Sequence, residues 1–440
     1  MSASLDFPPI VESEDSLEAI QDFFETQGWT DGLPFIPPTR QRVTQMLEHT
    51  RWSPKDVIGV LGPRNGEATL QRLATNAVMA GCRPEYFPIV VTAIQAVAEE
   101  QFNLNGIQST THPCGVLIVV NGPLASELGI NSGANCFGQG PRSNMAIGRA
   151  VRLALQNVGG GTAGDGDRAT HGSPAKIAFC VAENQHENPW EPLHVEHGFA
   201  LEDSVVTVVA CEAPHNINDH GSISGLGLLT TISTSLRQSG SNNIGVGRGE
   251  PMLVFGPEHA AQVAADGYSK DDVKQSLFEQ TRLPVADWSP DWKTEERLNL
   301  LEADTGQREF THLTANWQDL DIIVAGGPGK HSCWMPTFGG TETVMRRVEH
   351  ADGRGNLLME RYTRWRQRRE AGRHGDLGEQ VTQARAESGD LLSRGVQTEP
   401  PGQVVDVEAS STPQHGGSNL QRGSRRTCNR QRPPVGRLGQ

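Results

Sequence analysis

The spacing of apolar and polar residues divides the first 350 residues into predicted helices and strands. Three segments carry apolar residues at helical spacing and predict helices at 16–29, 67–82 and 84–100. Four other segments are short, nearly continuous apolar runs, rich in β-branched residues, that stop at a Pro turn, mostly Gly-Pro: 115–123, 204–214, 251–257 and 320–328. Such runs are typical of strands that are buried on both faces.

The order of these elements predicts the fold class. A helical pattern follows the third strand at 257–267, and another comes shortly after the first at 143–157. Strands that alternate with helices predict an α/β fold with a mostly parallel sheet, strand-end Gly-Pro turns and flanking helices. Ligands of such sheets bind at the carboxyl ends of the strands, so we expect the strand-end turns to converge on one crevice. The alternative is that they are ordinary turns on separate edges.

The composition changes at residue 351. Residues 351–440 contain 15 Arg, no Lys, no Ile and no Phe, and their 10 acidic residues leave a net charge of +5. Because the whole chain carries −14, residues 1–350 carry −19. The tail has no periodic apolar pattern and is therefore predicted to be disordered. It is either a basic arm or the product of translation past a natural stop. The body, 1–350, is predicted to be the catalytic-type α/β part, with a division into two subdomains near 160–200 left open.

Charge and cysteine usage exclude several functional classes. An acidic body does not favour nucleic-acid binding, and no apolar stretch approaches the roughly 18 residues of a membrane span. The seven cysteines are dispersed, without a CxxC pair, and the N-terminus lacks a signal pattern. We therefore expect reduced thiols, a cytoplasmic location and a small-molecule partner, while a homo-oligomer stays open.

The clearest candidate for chemistry is AGGPGKHSCWMPTFGG, residues 325–340, which follows the fourth strand. Cys333 lies beside His331 and Lys330, and cationic neighbours stabilise a thiolate, which is a good nucleophile. A second His-x-Cys triplet, His112 and Cys114, precedes the first strand. These five residues are the predicted catalytic set. The alternative for each cysteine is a small buried hydrophobic residue, and this is our interpretation of Cys82, Cys136 and Cys180.

The stretch GINSGANCFGQGPRSN, residues 129–144, predicts an anion-binding loop at a helix N-terminus. It matches neither a Walker loop nor a dinucleotide fingerprint. A carboxylate or phosphate of a small substrate is the expected ligand, and the predicted substrate-binding residues are Gly138, Gly140, Arg142, Ser143 and Asn144. Alternatively, the loop is glycine-rich because it packs closely against a neighbouring strand.

Histidines give an alternative chemistry. His194, His215 and His220 lie near acidic residues in sequence, and together these side chains could hold a divalent metal. Their spacing matches no specific zinc signature. No other cofactor is indicated.

Several long motifs resemble the UGSC-motif proteins, a family named for selenocysteine-Gly-Ser-Cys and distantly similar to selenoprotein B of glycine reductase. The motifs are GWTDGLPFIPPT (28–39), NAVMAGCRPEY (76–86), GIQSTTHPCGVLIVVNGP (106–123), the 129–144 stretch and AGGPGKHSCWMPTFG (325–339). The resemblance covers roughly residues 20 to 348 and implies redox chemistry at a strand-end selenol or thiol. The four motif positions fall on residues 330–333, where only Ser332 and Cys333 match. Because Lys330 occupies the selenocysteine position, the local selenenylsulfide cannot form. Cys333 is left as a lone nucleophile, or Lys330 as a base or a carbonyl-capturing amine.

Taken together, these patterns predict a small-molecule enzyme, oxidoreductase-like and thiol-dependent, that acts on a small anionic substrate. Cys333 would be the nucleophile or redox thiol, His331 the acid or base, and Lys330 would lower the pKa of the thiol. A metal-dependent hydrolase or lyase and a non-catalytic ligand-binding protein are the two alternatives.

Overall fold

The computed structural model of the chain describes residues 16–245 and 249–349. The predicted disordered tail lies outside these residues. In the described part, no helix has the length and apolar character needed to cross a membrane.

The described residues contain thirteen α-helices and twelve β-strands, joined by loops. The helices, α1 to α13 in chain order, are Leu17–Thr26, Arg40–Leu47, Leu70–Met79, Phe87–Val97, Leu104–Ser109, Pro123–Glu127, Arg142–Asn157, Leu193–Glu196, Gly225–Leu236, Asn242–Gly245, Pro257–Ala265, Lys270–Gln280 and Glu295–Thr305. The strands, β1 to β12, are Val57–Leu61, Gly66–Thr69, Gly115–Asn121, Cys180–Ala182, Val205–Cys211, His215–Asn218, Met252–Phe255, Leu283–Pro284, Phe310–Thr311, Asp321–Val324, His331–Met335 and Val344–Arg347.

The predicted helices and strands are confirmed at most positions. The three predicted helices correspond to α1, α3 and α4, and the four apolar runs contain β3, β5, β7 and β10. The second predicted helix begins later than expected because 66–69 pairs with β1 as β2. The side chain of Thr69 then accepts a hydrogen bond from the Arg72 amide and caps α3.

Two four-stranded sheets dominate the fold, and both are mixed. The first has the order β12-β5-β3-β4, with β3 and β4 parallel and β5 antiparallel to both of its neighbours. The second has the order β10-β7-β11-β6, with β10 and β7 parallel and β11 antiparallel to both of its neighbours. The prediction of a mostly parallel sheet is therefore wrong. A turn at 325–330 sends β11 back between β7 and β6, since antiparallel strands need only a short connection.

The sheets pack face to face, and helices cover both outer faces. In β3, Ile118 and Val120 face the core formed with α3, α4 and α7, whereas Leu117 and Val119 face the second sheet. In the second sheet, the outer residues of β7 and β10 pack against α9, α11 and α12. Because successive strand residues point to opposite faces, each inner strand is buried on both sides. This four-layer arrangement, helix–sheet–sheet–helix, explains the continuous apolar runs.

The sheets are also joined through their backbones. Cys211, at the end of β5, forms a bridge with Thr337, just beyond β11. The amide of Glu212 donates to the carbonyl of Pro336 at 2.8 Å, and the amide of Phe338 donates to that of Ala210 at 3.1 Å. This junction fixes β11 and the start of β6 against the end of the first sheet.

Candidate functional site

Several turns meet at one end of the second sheet, where β10 and β7 end and β11 begins. The amide of Gly326 donates to the carbonyl of Ser132 at 2.8 Å, so the turn after β10 touches the glycine-rich loop. At Gly327, a Cβ atom would lie only 2.6 Å from that of Ala134, which is why glycine is needed for this approach. The amide of Gly329 donates to the Glu258 carboxylate, at the start of α11, at 2.7 Å. The turns after β7 and β10 thus converge as expected, and the turn after β10 also contacts the glycine-rich loop.

Two exposed imidazoles lie at this end of the sheet. The Nε2 atoms of His331 and His220 are 3.4 Å apart, and His331 Nδ1 donates to Asn216 Oδ1 at 3.0 Å. That bond fixes the neutral tautomer of His331 and leaves Nε2 as a proton acceptor. Lys330 is half-buried beside them, and its carbonyl accepts from the Asp219 amide at 3.4 Å. Its ammonium forms no ion pair with any described residue. This end of the sheet can therefore transfer protons and attract an anion.

Cys333 lies two residues further along β11, on the same face as His331. In the sheet it is directly opposite Asn216 on one side and Val254 on the other. Its half-buried side chain packs in the layer between the two sheets. Burial, reinforced by the nearby Cys136 thiol, raises the pKa of Cys333 to about 12. The prediction that this pKa is lowered is therefore wrong, because desolvation disfavours the thiolate and the neighbouring charge that acts on it is that of Cys136, not Lys330.

The opposite face of β11 carries a buried serine–histidine pair. His259 Nδ1 lies 2.8 Å from Ser332 Oγ, and His259 Nε2 donates to the Asp219 carbonyl at 3.1 Å. Burial lowers the pKa of His259, so the ring is neutral and Nδ1 accepts the hydroxyl proton. Ser332 Oγ also accepts from the Gly256 amide at 3.2 Å. The pair ties β11 to α11 and to the end of β6, and so positions His331 and Cys333.

A carboxylate lies between two imidazoles at the junction of the two sheets. Glu212 Oε1 accepts from His112 Nε2 at 2.7 Å, and Oε2 accepts from His215 Nε2 at 3.1 Å. Burial alone would raise the pKa of Glu212, but the hydrogen bonds from His112 and His215 outweigh it and lower the pKa to about 2. The ring of His112 also stacks on Phe338. His112 is thus brought to Glu212 and not to Cys333.

Cys114 lies in the interior at the start of β3. Its Sγ is 3.9 Å from the Ile107 carbonyl, and burial raises its pKa to about 12. This is the environment of a small buried hydrophobic residue. The structure does not bring Cys114 to the exposed imidazoles, and its catalytic role stays a prediction.

The predicted substrate-binding residues of the glycine-rich loop are used inside the protein. Asn144 Nδ2 donates to the carbonyls of Asn131 and Cys180 at 3.0 and 3.1 Å, and its Oδ1 accepts from the Asn131 amide at 2.8 Å. Ser143 donates to the Gly129 carbonyl at 2.7 Å. Arg142 donates twice to the Gly81 carbonyl, at 3.0 and 2.8 Å. These bonds hold the loop on its neighbours and leave little free capacity for a ligand.

The two glycines of that set lie at the outer side of the loop. Gly140 is exposed and has a φ of +130°, which an L side chain rarely adopts, and Gly138 is half-buried. The Gly138 amide donates to the Asn135 carbonyl at 2.9 Å and closes a tight turn. A substrate contact at either glycine stays a prediction.

The three histidines of the metal alternative have separate partners. His194 is buried with Nε2 3.4 Å from the Leu201 carbonyl, His215 binds Glu212, and His220 lies against His331. Within 16–245 and 249–349, no group of three or more His, Cys, Asp or Glu side chains is arranged to hold a metal ion. The proposed set is wrong because residues that are close in sequence lie on different elements.

Sequence reasoning missed Asn216 as a member of the site. A signal for it exists in His215–Asn218, where polar and apolar residues alternate as in a half-exposed edge strand. Read that way, Asn216 and Asn218 share the exposed face of β6. The same alternation along His331–Met335 would have placed His331 and Cys333 on one face.

The fold and the site define a class: a four-layer α/β protein with a histidine-rich cluster at one sheet end and a half-buried cysteine behind it. Comparisons with protein-family models, curated proteins and solved structures found no match for this chain. The motif resemblance to the UGSC proteins thus stays an expectation, and the function is argued from geometry.

Proposed function

We propose that the chain is a small-molecule enzyme in which Cys333 is the nucleophile or redox thiol. The observation that carries this proposal is the placement of His331 and Cys333 on one face of β11, at an accessible end of the sheet. Asn216 joins them, since it is opposite Cys333 and hydrogen-bonded to His331. A nucleophile and a base are therefore within one short strand segment.

The raised pKa of Cys333 gives His331 a specific task. With a pKa of about 12, the thiol is protonated at neutral pH and a weak nucleophile. General-base removal of its proton as sulfur attacks the substrate would overcome this, and His331, exposed on the same face of β11, is the candidate base. His220, 3.4 Å away, can exchange that proton with solvent.

The substrate class follows from charge. Lys330 lies at the end of the turn after β10, directly before His331, and its ammonium forms no ion pair among the described residues, in a body whose net charge is strongly negative. A small anion is the ligand that this local charge favours. Lys330 takes this role more readily than Arg142, whose guanidinium already bonds the Gly81 carbonyl.

The test is turnover of a panel of small reducible or electrophilic anions, followed by NMR. We expect Cys333→Ala to abolish turnover, and His331→Gln to slow it by about 10²- to 10⁴-fold. Cys82→Ala is the matched control, since it removes a buried thiol elsewhere. Unchanged turnover in Cys333→Ala would remove this sulfur from the mechanism. If no substrate is consumed but alkylation of Cys333 changes ligand binding, the protein is a non-catalytic binder.

A further inference from the structure

We propose that Cys136 is the resolving thiol for Cys333, and that the two sulfurs form a reversible disulfide as the protein reduces a small disulfide substrate. This inference rests on the proposed function and deepens it, because it names both the substrate class and the second reacting group.

The fold brings the segments that carry the two thiols together. Cys136 lies on the glycine-rich loop, which the Gly326–Ser132 hydrogen bond ties to the turn that leads into β11. Gly327 and Ala134 pack closely at the same place. The side chains of Cys136 and Cys333 then lie in the same apolar layer between the sheets. Electrostatic coupling is consistent with this, since charge on Cys136 raises the pKa of Cys333.

The backbone around Cys136 favours its thiolate over those of the other buried cysteines. Burial raises its pKa to about 11, and the amides of Cys136 and Phe137, which face the sulfur, oppose the rise. The pKa of Cys333 is raised further, to about 12. In thiol–disulfide exchange the thiolate is the attacking species, and these two amides stabilise it at Cys136.

Accessibility assigns the order of the two thiols. Cys333 is half-buried, whereas Cys136 is only 6% exposed, so a substrate reaches Cys333 first. Residues 330–332 hold no second sulfur that could resolve a mixed disulfide locally. Cys136, in the same apolar layer, is then the group that completes the reaction.

Cys211 also lies in this apolar layer, but its backbone is too far from that of Cys333 for a disulfide. It pairs with Thr337, four residues along the chain from Cys333. At about 3.3 Å per residue, this places the two backbones roughly 13 Å apart along the strand. A disulfide needs a Cα separation of roughly 4.4–6.8 Å. A bond between Cys211 and Cys333 would therefore require the junction of the sheets to open.

The chemistry balances without any further reactant. The Cys333 sulfur, its proton removed by His331, attacks a substrate RSSR and forms a mixed disulfide, while the S–S bond of the substrate breaks and one RSH leaves with that proton. The Cys136 sulfur then attacks Cys333, and the second RSH leaves with the proton of Cys136. Two electrons have passed from the two protein thiols to the disulfide of the substrate.

The experiment uses the full chain, reduced and then treated anaerobically with dithiodiglycolate, a small anionic disulfide. After the remaining thiols are blocked with N-ethylmaleimide, digestion at glutamate and arginine isolates Cys136 on the peptide 128–142, apart from Cys114 and Cys180. We expect a linked peptide pair containing Cys136 and Cys333, and two equivalents of released thiol per chain. In Cys136→Ser, we expect the reaction to stop at a mixed disulfide on Cys333, with one equivalent released. Cys211→Ser is the matched control and should still form the link.

The outcomes separate this inference from the proposed function. A mixed disulfide that stays on Cys333 in the unmodified protein, or a link between Cys333 and Cys211, would overturn the role of Cys136 and leave Cys333 as the nucleophile. If the reagent does not modify Cys333 at all, both the resolving pair and the proposed nucleophile are wrong.

Discussion

The glycine-rich loop before α7 and the turn between β10 and β11 are similar in sequence, since each combines several glycines with a short run of polar residues. The structure uses them differently. In the loop, the side chains of Ser143 and Asn144 are 3% and 2% exposed and bond to carbonyls of the protein. In the turn and the strand that follows, His331 is exposed and Cys333 is half-buried.

The difference follows from the element that each segment begins. A helix start leaves its first amides and the preceding loop to be held by nearby polar side chains, so those side chains are consumed locally. A strand start places alternate side chains on opposite faces, so one face can be braced while the other stays open. In β11, Ser332 braces the outer, helix-covered face through His259, and His331 and Cys333 lie on the face towards the first sheet. The loop therefore has a structural role, and the open face of β11 is the candidate for chemistry.

The largest expected effect is a loss of stability when a polar side chain that holds the loop is removed. Asn144→Ala would remove the hydrogen bonds to the Asn131 amide and to the carbonyls of Asn131 and Cys180, of which the Asn131 carbonyl keeps the Ala182 amide at 3.4 Å. At roughly 1–3 kcal/mol for each buried group left unpaired, we expect the free energy of unfolding to fall by about 3 kcal/mol or more. Urea denaturation measures this. Met145→Ala, at the exposed next position, should change it by less than about 0.5 kcal/mol. Equal effects would contradict the structural assignment of the loop.

A smaller effect is expected on the braced face of β11. Ser332→Ala removes the hydroxyl that bonds His259 Nδ1 and the Gly256 amide. We expect a loss of about 1–3 kcal/mol in the free energy of unfolding, because both buried groups lose a partner. The adjacent exposed variant His331→Ala should cost less than about 0.5 kcal/mol. If His331→Ala were as destabilising as Ser332→Ala, the two faces of β11 would not differ as described.

The smallest effect concerns Glu212, whose carboxylate lies outside both regions and tests the electrostatics separately. Its pKa is lowered from an ordinary 4.5 to about 2, so its charge stabilises the folded state above pH 4.5. This contribution is lost as the pH falls from 4.5 towards 2. We expect the difference in unfolding free energy between the wild type and Glu212→Gln to shrink as the pH falls below 4.5. A difference that does not depend on pH would show that His112 and His215 do not hold the charge.

The positions of many helices and strands could be predicted from local patterns, but the pairing and direction of the strands could not. The apolar runs of β3, β5, β7 and β10 are conspicuous because both faces of each strand are buried. In contrast, β11 was missed because His331, Ser332 and Cys333 interrupt the apolar pattern. Strand direction depends on pairing between distant segments, such as β11 with β7 and β6. No local pattern records this, and so the sheet was predicted to be mostly parallel.

The position of the candidate site could be predicted from the sequence, but the burial and contacts of its side chains could not. Strand-end reasoning brought together the turns around Lys330 and Glu258, since it depends only on where apolar runs end. It could not foresee that Cys333 is enclosed between two sheets, because the second sheet is built from residues far away in sequence. The same limit explains why three histidines of one sequence segment bind three different partners.

The most direct measurement is limited alkylation of the native chain with iodoacetamide, with the label at each cysteine quantified by mass spectrometry. Among the six cysteines of the described residues, only Cys333 is more than marginally exposed, so we expect it to carry most of the label. With a pKa of about 12, its labelling rate should still rise with pH above 8. Labelling of Cys333 no faster than that of Cys180 or Cys211 would contradict the claim that its sulfur is the accessible reactive group.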